Sequence, residues 1–506
     1  MIVDELTYQI LQSFGLPPTA DQSRAVDTFC RFMTSGDARS VMILRGSAGT
    51  GKTSLAAAMV KTLVRLRQKI TLLAPTGRAA KVFSLNAGHR AFTIHRCIYR
   101  QKTFTGDMTG FNLNNNMHRD TLFMVDEASM IANDGYAETA SFGTGRLLDD
   151  LVSYVYAGDN CRLMMIGDTA QLPPIGEEES PALSADYMAG YGLTVYECDL
   201  NEVLRQASGS GILYNATVIR QMITHDELTR LPLIRIKGFA DIRIVPGDEL
   251  IEQLATSYSE VGIDETMVVT RSNKRANRYN AGIRGMVLGR EEELTSGDML
   301  MVVRNNYYWT EKESKSEELR VKSEELSGNR AVSDNANSSL STLHSSLKFI
   351  ANGDRAMVRR VRNVRSLYGF HFADVLLQFP DYDDYELQVT VLTDSLMSDA
   401  PSLTADESRR LFEQVLEDYR DVPLKADRMK MVRQDIHYNA VQIKYAYAVT
   451  CHKAQGGQWA HIYLDQGYMT DDMLTPDYIH WLYTAFTRAT EKLFLVNWRD
   501  EQTAKA

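Results

Sequence analysis

The chain has 506 residues, of which 44% are hydrophobic and 24% are charged, and its formal net charge is −10. This length exceeds what one hydrophobic core normally supports, so we expect at least two domains. The acidic balance excludes a globally basic nucleic-acid coat, although it leaves room for a local basic track.

The cysteines and the N-terminal segment bear on the cellular compartment of the protein. Five cysteines are scattered without a CxxC pair or metal-ligand spacing, which is typical of reduced core residues in a cytosolic protein. The N-terminal segment carries acidic residues and lacks a basic n-region, so it does not resemble a signal peptide. The sequence has no run of about 18 apolar residues, so no membrane span is predicted. We therefore expect a cytoplasmic protein.

Short apolar runs alternate with helical patterns over the first 200 residues, which predicts an α/β fold with a parallel sheet. Open sheets of this kind bind ligands at the carboxyl ends of their strands. Further runs near residue 267 and near the C-terminus predict a second α/β sheet. The predicted strands are Ser40–Arg45, Ile70–Ala74, Thr121–Val125, Arg162–Ile166, Met267–Thr270, Ala446–Thr450 and Leu493–Val496.

The second sheet is interrupted by an insertion. Within it, Gly297-Asp298 and Gly353-Asp354 predict turns between β-like runs and therefore a small barrel. Residues 311–347 are rich in Ser, Glu, Lys and Asn, and the letters SEEL occur at Ser316 and again at Ser323. A short coiled coil needs more heptads than this, so a disordered or frayed surface insertion is favoured.

A phosphate-binding loop is the first motif with a defined chemistry. It has the pattern G-x-x-x-x-G-K-T between a predicted strand and a helical run, and its backbone N–H groups are expected to bind the phosphates of ATP. Lys52 would reach the β and γ oxygens, and the hydroxyl of Thr53 would bind Mg²⁺. The loop consists of Gly46, Ser47, Ala48, Gly49, Thr50, Gly51, Lys52 and Thr53.

Two later strand ends carry matching groups. Asp126 and Glu127 follow the strand TLFMV, where Asp126 would bind Mg²⁺ and Glu127 would polarise the attacking water. Gln171 precedes Pro-Pro in GDTAQLPPIG, and this stiffened loop is suited to sense the γ-phosphate. Alone, each feature has a plain structural alternative, a helix cap or a proline-rich turn.

Three further residues are candidates for the nucleotide cleft. The amide of Gln22 is suited to read adenine, although a solvated helix glutamine is an equal alternative. Arg205 and Arg488 are suited to stabilise transition-state charge from a second lobe. An isolated arginine is usually a surface ion pair, so these two gain weight only together.

Candidate nucleic-acid contacts are less distinct. Thr76, Arg78, His95, Thr450 and His452 offer hydroxyl, guanidinium and imidazole groups to phosphates.

Residues 99–116 predict a β-hairpin in which Phe104 and Phe111 flank the turn. Such a hairpin either wedges a duplex fork or packs its own phenylalanines, and both interpretations stay open. The arginines of 359–365 form either a basic stripe or a solvated strand face.

The motifs GSAGTGKT, APTGRAAKV, VDEAS, GDTAQLPPIG, LNEVLRQ, AVTCHKAQGGQW and YTAFTRA follow each other in this order. As an ordered set over about residues 19–496, they resemble the superfamily 1B DNA helicases, most closely the RecD-like and Dda-like group. Leu204 stands where related superfamily 1A motors place an adenine-stacking aromatic residue, which favours the 1B group. The insertion 311–347 has no counterpart in the family pattern.

The resemblance implies two RecA-like motor domains with a hairpin inserted in the first and an SH3-like barrel in the second. The implied boundaries are 1–200 for the first motor domain with its hairpin domain at 84–118, 201–294 with 441–506 for the second, and 295–440 for the barrel domain.

The implied function is an ATP-dependent DNA helicase that moves 5′→3′ on single strands and at forks, in repair, recombination or replication. Its cofactors would be ATP and Mg²⁺, and it would act as a monomer. The resemblance assigns the nucleotide and DNA roles given above to the same residues, and Gln455 and Gly456 lie between the two groups, where coupling would pass. An RNA-directed helicase and a motor subunit that is inactive alone remain alternatives.

Overall fold

The computed structural model describes residues 2–101, 111–133, 143–202, 209–225, 230–313, 316, 349–469 and 473–504. Two compact units are present, Met1–Arg271 with Thr450–Ala506, and Ser272–Val449. These limits differ from the sequence-based boundaries at 200, 294 and 440, which stay a prediction. The insertion 311–347 lies almost entirely outside the described residues.

The secondary structure alternates as expected for an α/β chain. The helices are α1 (Ile2–Phe14), α2 (Ala20–Thr34), α3 (Lys52–Arg65), α4 (Gly77–Ala87), α5 (Ile94–Ile98), α6 (Leu147–Tyr156), α7 (Ala185–Gly190), α8 (Gly211–Thr224), α9 (Leu250–Glu260), α10 (Asn273–Gly282), α11 (Ala405–Asp418), α12 (Lys425–Gln434), α13 (Cys451–Ala454) and α14 (Pro476–Phe486). The strands are β1 (Ser40–Gly46), β2 (Lys69–Ala74), β3 (Ala91–Thr93), β4 (Tyr99–Gln101), β5 (Phe111–Leu113), β6 (Thr121–Val125), β7 (Arg162–Gly167), β8 (Thr194–Leu200), β9 (Ile242–Val245), β10 (Thr266–Thr270), β11 (Met299–Val302), β12 (Arg355–Leu367), β13 (Phe370–Phe379), β14 (Tyr385–Leu392), β15 (Val441–Tyr445), β16 (Ala448–Thr450), β17 (Trp459–Asp465) and β18 (Ala489–Val496).

The first unit contains two parallel sheets. One sheet has the order β3-β2-β6-β7-β1-β8, with every neighbouring pair parallel. The other contains β10, β17, β18 and β9 in this order, again in parallel pairs. We call the first sheet with its helices the first lobe and the second sheet with its helices the second lobe. The predicted α/β class is confirmed.

Burial explains why the central strands were recognisable in the sequence. Every residue of β6 is buried, and β7 is buried except at its first residue. Strands of a parallel sheet are covered by helices on both faces, so they appear as continuous apolar runs. The predicted hairpin is present at its base, where β4 and β5 pair antiparallel, whereas Phe104 and the turn lie outside the described residues.

The second unit contains a closed barrel of β11, β12, β13, β14 and β15, which confirms the predicted barrel. Its last strand, Val441–Tyr445, lies entirely after residue 440, where the sequence placed the end of the barrel domain. Helices α11 and α12 cover part of the barrel through a cluster that includes Phe370, Leu411 and Val432. These helices were not predicted.

The predicted strand Ala446–Thr450 begins only at Ala448. The side-chain amide of Asn280 forms hydrogen bonds with backbone groups that would otherwise pair with a neighbouring strand. Its Oδ1 accepts hydrogen bonds from the N–H groups of Tyr447 and Ala448 at 3.1 and 2.8 Å. A side chain that satisfies buried backbone groups replaces the ladder locally, so the strand is interrupted there.

Both predicted Gly-Asp turns are present, and each buries its aspartate. Gly297 and Gly353 adopt φ of 85° and 91°, a region that favours glycine. Asp298 is fully buried and accepts from Arg284 at 3.0 and 2.9 Å and from Arg290 at 2.7 Å. Burial raises its pKa, but these hydrogen bonds outweigh burial and lower the pKa of Asp298 overall.

Asp354 has the opposite environment. It is buried and accepts hydrogen bonds from the Ala351 N–H at 2.7 Å and the Tyr382 hydroxyl at 2.8 Å. Burial, with a smaller contribution from nearby Asp381, raises the pKa of Asp354 to about 7. The barrel therefore keeps one aspartate charged and the other protonated below neutral pH.

Across the parts of the chain that the structure describes, no helix combines the length and apolar composition needed to cross a bilayer.

Asp354 generates a prediction about stability and pH. The folded chain holds this proton up to about pH 7, whereas the unfolded chain releases it near the ordinary value of 3.8. Stability therefore falls as the pH rises through this window. Asp354→Asn should flatten this fall and raise stability at about pH 8 by on the order of 2 kcal/mol.

The measurement is the unfolding midpoint at several pH values, with exposed Asp421→Asn as the matched control. An Asp354→Asn profile that parallels the wild type would contradict the assignment.

Candidate nucleotide site between two lobes

The phosphate-binding loop connects β1 to α3, as the motif predicted. Strand β1 ends at Gly46 and α3 begins at Lys52, while Gly49 and Gly51 both adopt φ of 79°. A Cβ on Gly46 would lie 2.8 Å from the Thr50 hydroxyl, so the tight turn requires glycine there. The Lys52 ammonium donates to the carbonyls of Gly46 and Ser47, which holds it over the loop.

Gln22 supports this loop directly. Its buried amide nitrogen donates to the Thr50 carbonyl at 2.9 Å, and its Oε1 accepts from the Thr19 N–H at 3.0 Å as part of a capping box. The amide therefore fixes the position of the loop relative to α2. Its predicted role in reading adenine remains a prediction.

Asp126 and Glu127 lie at the end of β6. Glu127 adopts φ of 53°, an uncommon conformation for a residue other than glycine, and its N–H donates to Asp126 Oδ1 at 2.9 Å. Desolvation and then the charge of Glu127 raise the pKa of Asp126 to about 7, although Lys52 acts in the opposite direction. Two carboxylates and one ammonium thus share a small space.

The second lobe places Arg488 beside this pair. Arg488 is 2% exposed, and its guanidinium donates to the carbonyls of Thr484 and Gly457 at 3.1 Å. Its Nη1 lies 4.0 Å from Glu127 Oε1. The arginine predicted to act from the second lobe therefore lies next to the carboxylate predicted to act on water. Arg205 lies outside the described residues.

Gln171 occupies the loop after β7, next to second-lobe side chains. It is 6% exposed, and its Oε1 has no hydrogen-bond partner among the described residues. The Gln455 amide donates to the carbonyl of neighbouring Leu172 at 2.7 Å. Gly456 has a φ of 72°, and a Cβ added at this position would lie only 3.1 Å from the Thr76 hydroxyl oxygen. The two predicted coupling residues thus touch the first lobe.

Sequence reasoning missed three second-lobe residues that contact the first lobe. Tyr483 donates to Asp168, Thr484 accepts from the Leu172 N–H, and His480 donates to the Ala170 carbonyl. Tyr483 and Thr484 lie inside the YTAFTRA motif, so the motif could have drawn attention to them. No sequence pattern, however, reveals which distant atom a hydroxyl will bind.

The candidate DNA residues of the first lobe have different environments. Thr76 accepts from the Ala79 N–H at 3.2 Å and thereby caps α4. Arg78 is largely buried, pairs with Glu265 at 3.1 Å and lies 5.4 Å from the Trp459 ring centre. Its groups therefore contact the second lobe, and its predicted phosphate contact remains a prediction.

His95 is half-buried, and desolvation lowers its pKa to about 4. An imidazole with this pKa is neutral near pH 7, so it would contact a phosphate as a neutral donor. In the second lobe, Thr450 is partly buried immediately before α13, and His452 is exposed on it.

The site fits the nucleotide and metal that its motifs imply. Ser47 Oγ, Ser129 Oγ and Gln171 Oε1 are buried polar atoms that lack a partner among the described residues. Buried polar atoms normally have partners, so these orphans indicate a polar ligand. Thr53 and Asp126 carry hydroxyl and carboxylate oxygens, which are ligand types that Mg²⁺ prefers when it is shared with phosphates, so these residues would hold it.

Comparison with known proteins supports this interpretation. The AAA domain family model matches residues 18–222, and the model of the UvrD-like helicase C-terminal domain matches residues 445–496. The chain is 24% identical over 268 residues to the ATP-dependent DNA helicase dda of Enterobacteria phage T4, covering 51% of this chain and 55% of that protein. It is 30% identical over 181 residues to the ATP-dependent RecD2 DNA helicase of Deinococcus radiodurans, covering 35% and 21%.

The chain thus aligns with about half of the phage helicase and a fifth of the Deinococcus helicase. Among solved structures, Bacteroides Pif1 bound to ssDNA is similar, with a TM-score of 0.46 and 15% identity over 97% of this chain and 95% of that one. The two domain models and the aligned relatives support the resemblance of the chain to the superfamily 1B helicases.

Proposed function

We propose that the protein is an ATP-dependent DNA helicase that moves 5′→3′ along single-stranded DNA and unwinds duplex. The observation that carries this proposal is the approach of second-lobe Arg488 to first-lobe Glu127 at 4.0 Å. A nucleotide bound by the loop at Gly46–Thr53 would be contacted from both lobes, so its hydrolysis would change their relative position. The aligned phage and Deinococcus relatives are named ATP-dependent DNA helicases, which supports the choice of substrate.

Within the first lobe, the roles follow from position. Lys52 binds the β and γ oxygens, and Glu127 accepts a hydrogen bond from the attacking water and orients it. Thr53 and Asp126 would hold Mg²⁺, which neutralises phosphate charge when bound. Asp126 is desolvated and lies beside the charge of Glu127, so a bound cation would stabilise its carboxylate.

The second lobe completes the site. The guanidinium of Arg488 is already fixed by the carbonyls of Thr484 and Gly457, so it needs little reorganisation to stabilise charge on the transferred phosphoryl group. Gln171 lies on the neighbouring loop, where its amide nitrogen would donate to a γ-phosphate oxygen, while its amide oxygen has no partner among the described residues. Loss of the γ-phosphate would remove the group that both residues contact, and the lobes would separate.

The DNA track is proposed to run past Thr76, His95, Thr450 and His452. With His95 neutral near pH 7, hydrogen bonds to the backbone contribute there rather than charge. Contacts to the phosphate backbone do not read the bases, so binding should depend little on base sequence and should weaken as the salt concentration rises.

Lys52→Ala should abolish ATP hydrolysis and unwinding, because no other side chain supplies the ammonium within the loop. Lys61→Ala is the matched control, since Lys61 is exposed on the same helix, α3. ATP turnover and strand separation are measured for both variants. Unwinding by Lys52→Ala at the wild-type rate would reject an ATP-driven mechanism.

The direction of movement is tested with duplexes that carry a single-stranded tail at either the 5′ or the 3′ end. We expect unwinding only of the 5′-tailed substrate. Equal unwinding of both would contradict the polarity. ATP hydrolysis without unwinding of either would favour a motor subunit that needs partner proteins, and stronger stimulation by poly-U than by poly-dT would favour an RNA-directed enzyme.

Arg488→Lys should reduce the kcat of ATP hydrolysis by about 10³-fold or more, because an ammonium cannot reproduce the planar set of donors. Nucleotide affinity should change much less, since Lys52 and the loop remain. Arg243→Lys, in the second lobe and 5.0 Å from the Phe494 ring centre, is the matched control. A variant with unchanged kcat would place Arg488 outside the catalytic site.

A further inference from the structure

The loop after β7 is held by the second lobe on both sides of Gln171. The Leu172 N–H donates to the Thr484 hydroxyl at 2.7 Å, and the Leu172 carbonyl accepts from the Gln455 amide at 2.7 Å. On the other side, the Ala170 carbonyl accepts from His480 Nδ1 at 2.9 Å. The backbone on both sides of Gln171 is therefore hydrogen-bonded to the second lobe.

Tyr483 adds a contact to the phosphate-binding loop itself. Its hydroxyl donates to Asp168 Oδ2 at 2.6 Å and accepts from the Ala48 N–H at 3.0 Å. Tyr483 is 1% exposed, and burial together with Asp168 holds its pKa well above the usual range. The hydroxyl thus stays protonated, and one atom joins α14, the phosphate-binding loop and the loop after β7.

Thr484 connects this contact to Arg488. Its side chain binds the Leu172 N–H, while its own carbonyl accepts from Arg488 Nε at 3.1 Å. Thr484 is fully buried, so no solvent replaces either bond. One residue therefore sets the positions of both the loop that carries Gln171 and the guanidinium that approaches Glu127.

We propose that Tyr483 and Thr484 are positioning residues. They hold Gln171 and Arg488 at fixed positions relative to the phosphate-binding loop, so that both side chains contact the γ-phosphate at the same time. This inference rests on the proposed ATPase function. Neither side chain needs to touch the substrate. Their effect is on the rate of hydrolysis and its coupling to DNA, because they fix groups that act in the transition state.

The test uses Thr484→Val, which keeps the shape but removes the acceptor, and Tyr483→Phe, which removes the bridging hydroxyl. Thr484→Ser restores the acceptor. Tyr463→Phe is the matched control, because Tyr463 is also buried in the second lobe and its hydroxyl makes two hydrogen bonds, to Ser257 and Gln253. For each full-length variant, the DNA-stimulated kcat, the KM for ATP, the affinity for a fluorescent ADP analogue and the unfolding midpoint are measured.

We expect Thr484→Val and Tyr483→Phe to lower the DNA-stimulated kcat by about 10-fold or more, with KM and ADP affinity within about threefold of wild type. Thr484→Ser should recover most of the kcat, and Tyr463→Phe should match the wild type.

A second readout separates positioning from a general loss of packing. The double variant Gln171→Ala/Thr484→Val should be no slower than Gln171→Ala alone, because Thr484→Val removes only the hydroxyl that holds the loop of Gln171 and keeps the carbonyl that binds Arg488.

The inference is overturned if both single variants retain the wild-type kcat, or if their losses appear equally in ADP affinity and unfolding midpoint. It is also overturned if the double variant shows the product of the two single effects. Failure of the wild-type protein to hydrolyse ATP would instead reject the proposed function, so the two outcomes are distinguishable.

Discussion

The parallel alignment of β6, β7 and β1 is the constraint on which the whole site depends. These strands are adjacent in the first sheet, so their carboxyl ends lie at one edge, where loops of parallel sheets meet ligands. The phosphate-binding loop, the Asp126-Glu127 pair and the loop of Gln171 follow these three strands directly. Groups far apart in the sequence are therefore brought together by hydrogen bonding of the backbone, before any side chain contributes.

A rigid edge of this kind binds a nucleotide, but it does not by itself move anything. Movement requires that a second body contact the same ligand, and in the proposed function α14 and the residues after it would make this contact. The helix presents Tyr483 and Thr484 to the first lobe, and the chain reaches Arg488 two residues after the helix ends. Because these side chains form hydrogen bonds with first-lobe atoms, a change at the nucleotide would be transmitted through them to the second lobe.

The fold was predictable where one local signal decided the structure. The buried strands appeared as apolar runs, and the barrel turns appeared as Gly297-Asp298 and Gly353-Asp354. Contacts over long sequence separations were not predictable. Arginine is a residue type that commonly binds phosphate, yet the guanidinium of Arg78 pairs with Glu265 and lies over the ring of Trp459. The sequence likewise reveals no partner for the amide of Gln22, but in the structure this amide donates a hydrogen bond to the Thr50 carbonyl.

Because long-range contacts cannot be read from the sequence, Arg488 was named as a candidate whereas Tyr483 and Thr484, which contact the first lobe near it, were not. Arg488 carries a charge whose function is recognisable from residue type alone, whereas the hydroxyls of Tyr483 and Thr484 have no chemistry of their own until their partners are known. Asp298 and Asp354 show the same principle in the barrel, since identical Gly-Asp signals lead to opposite pKa shifts once arginines surround only one of them. Residue type predicts which reactions a site can perform, and the tertiary fold decides which copies of that residue type perform them.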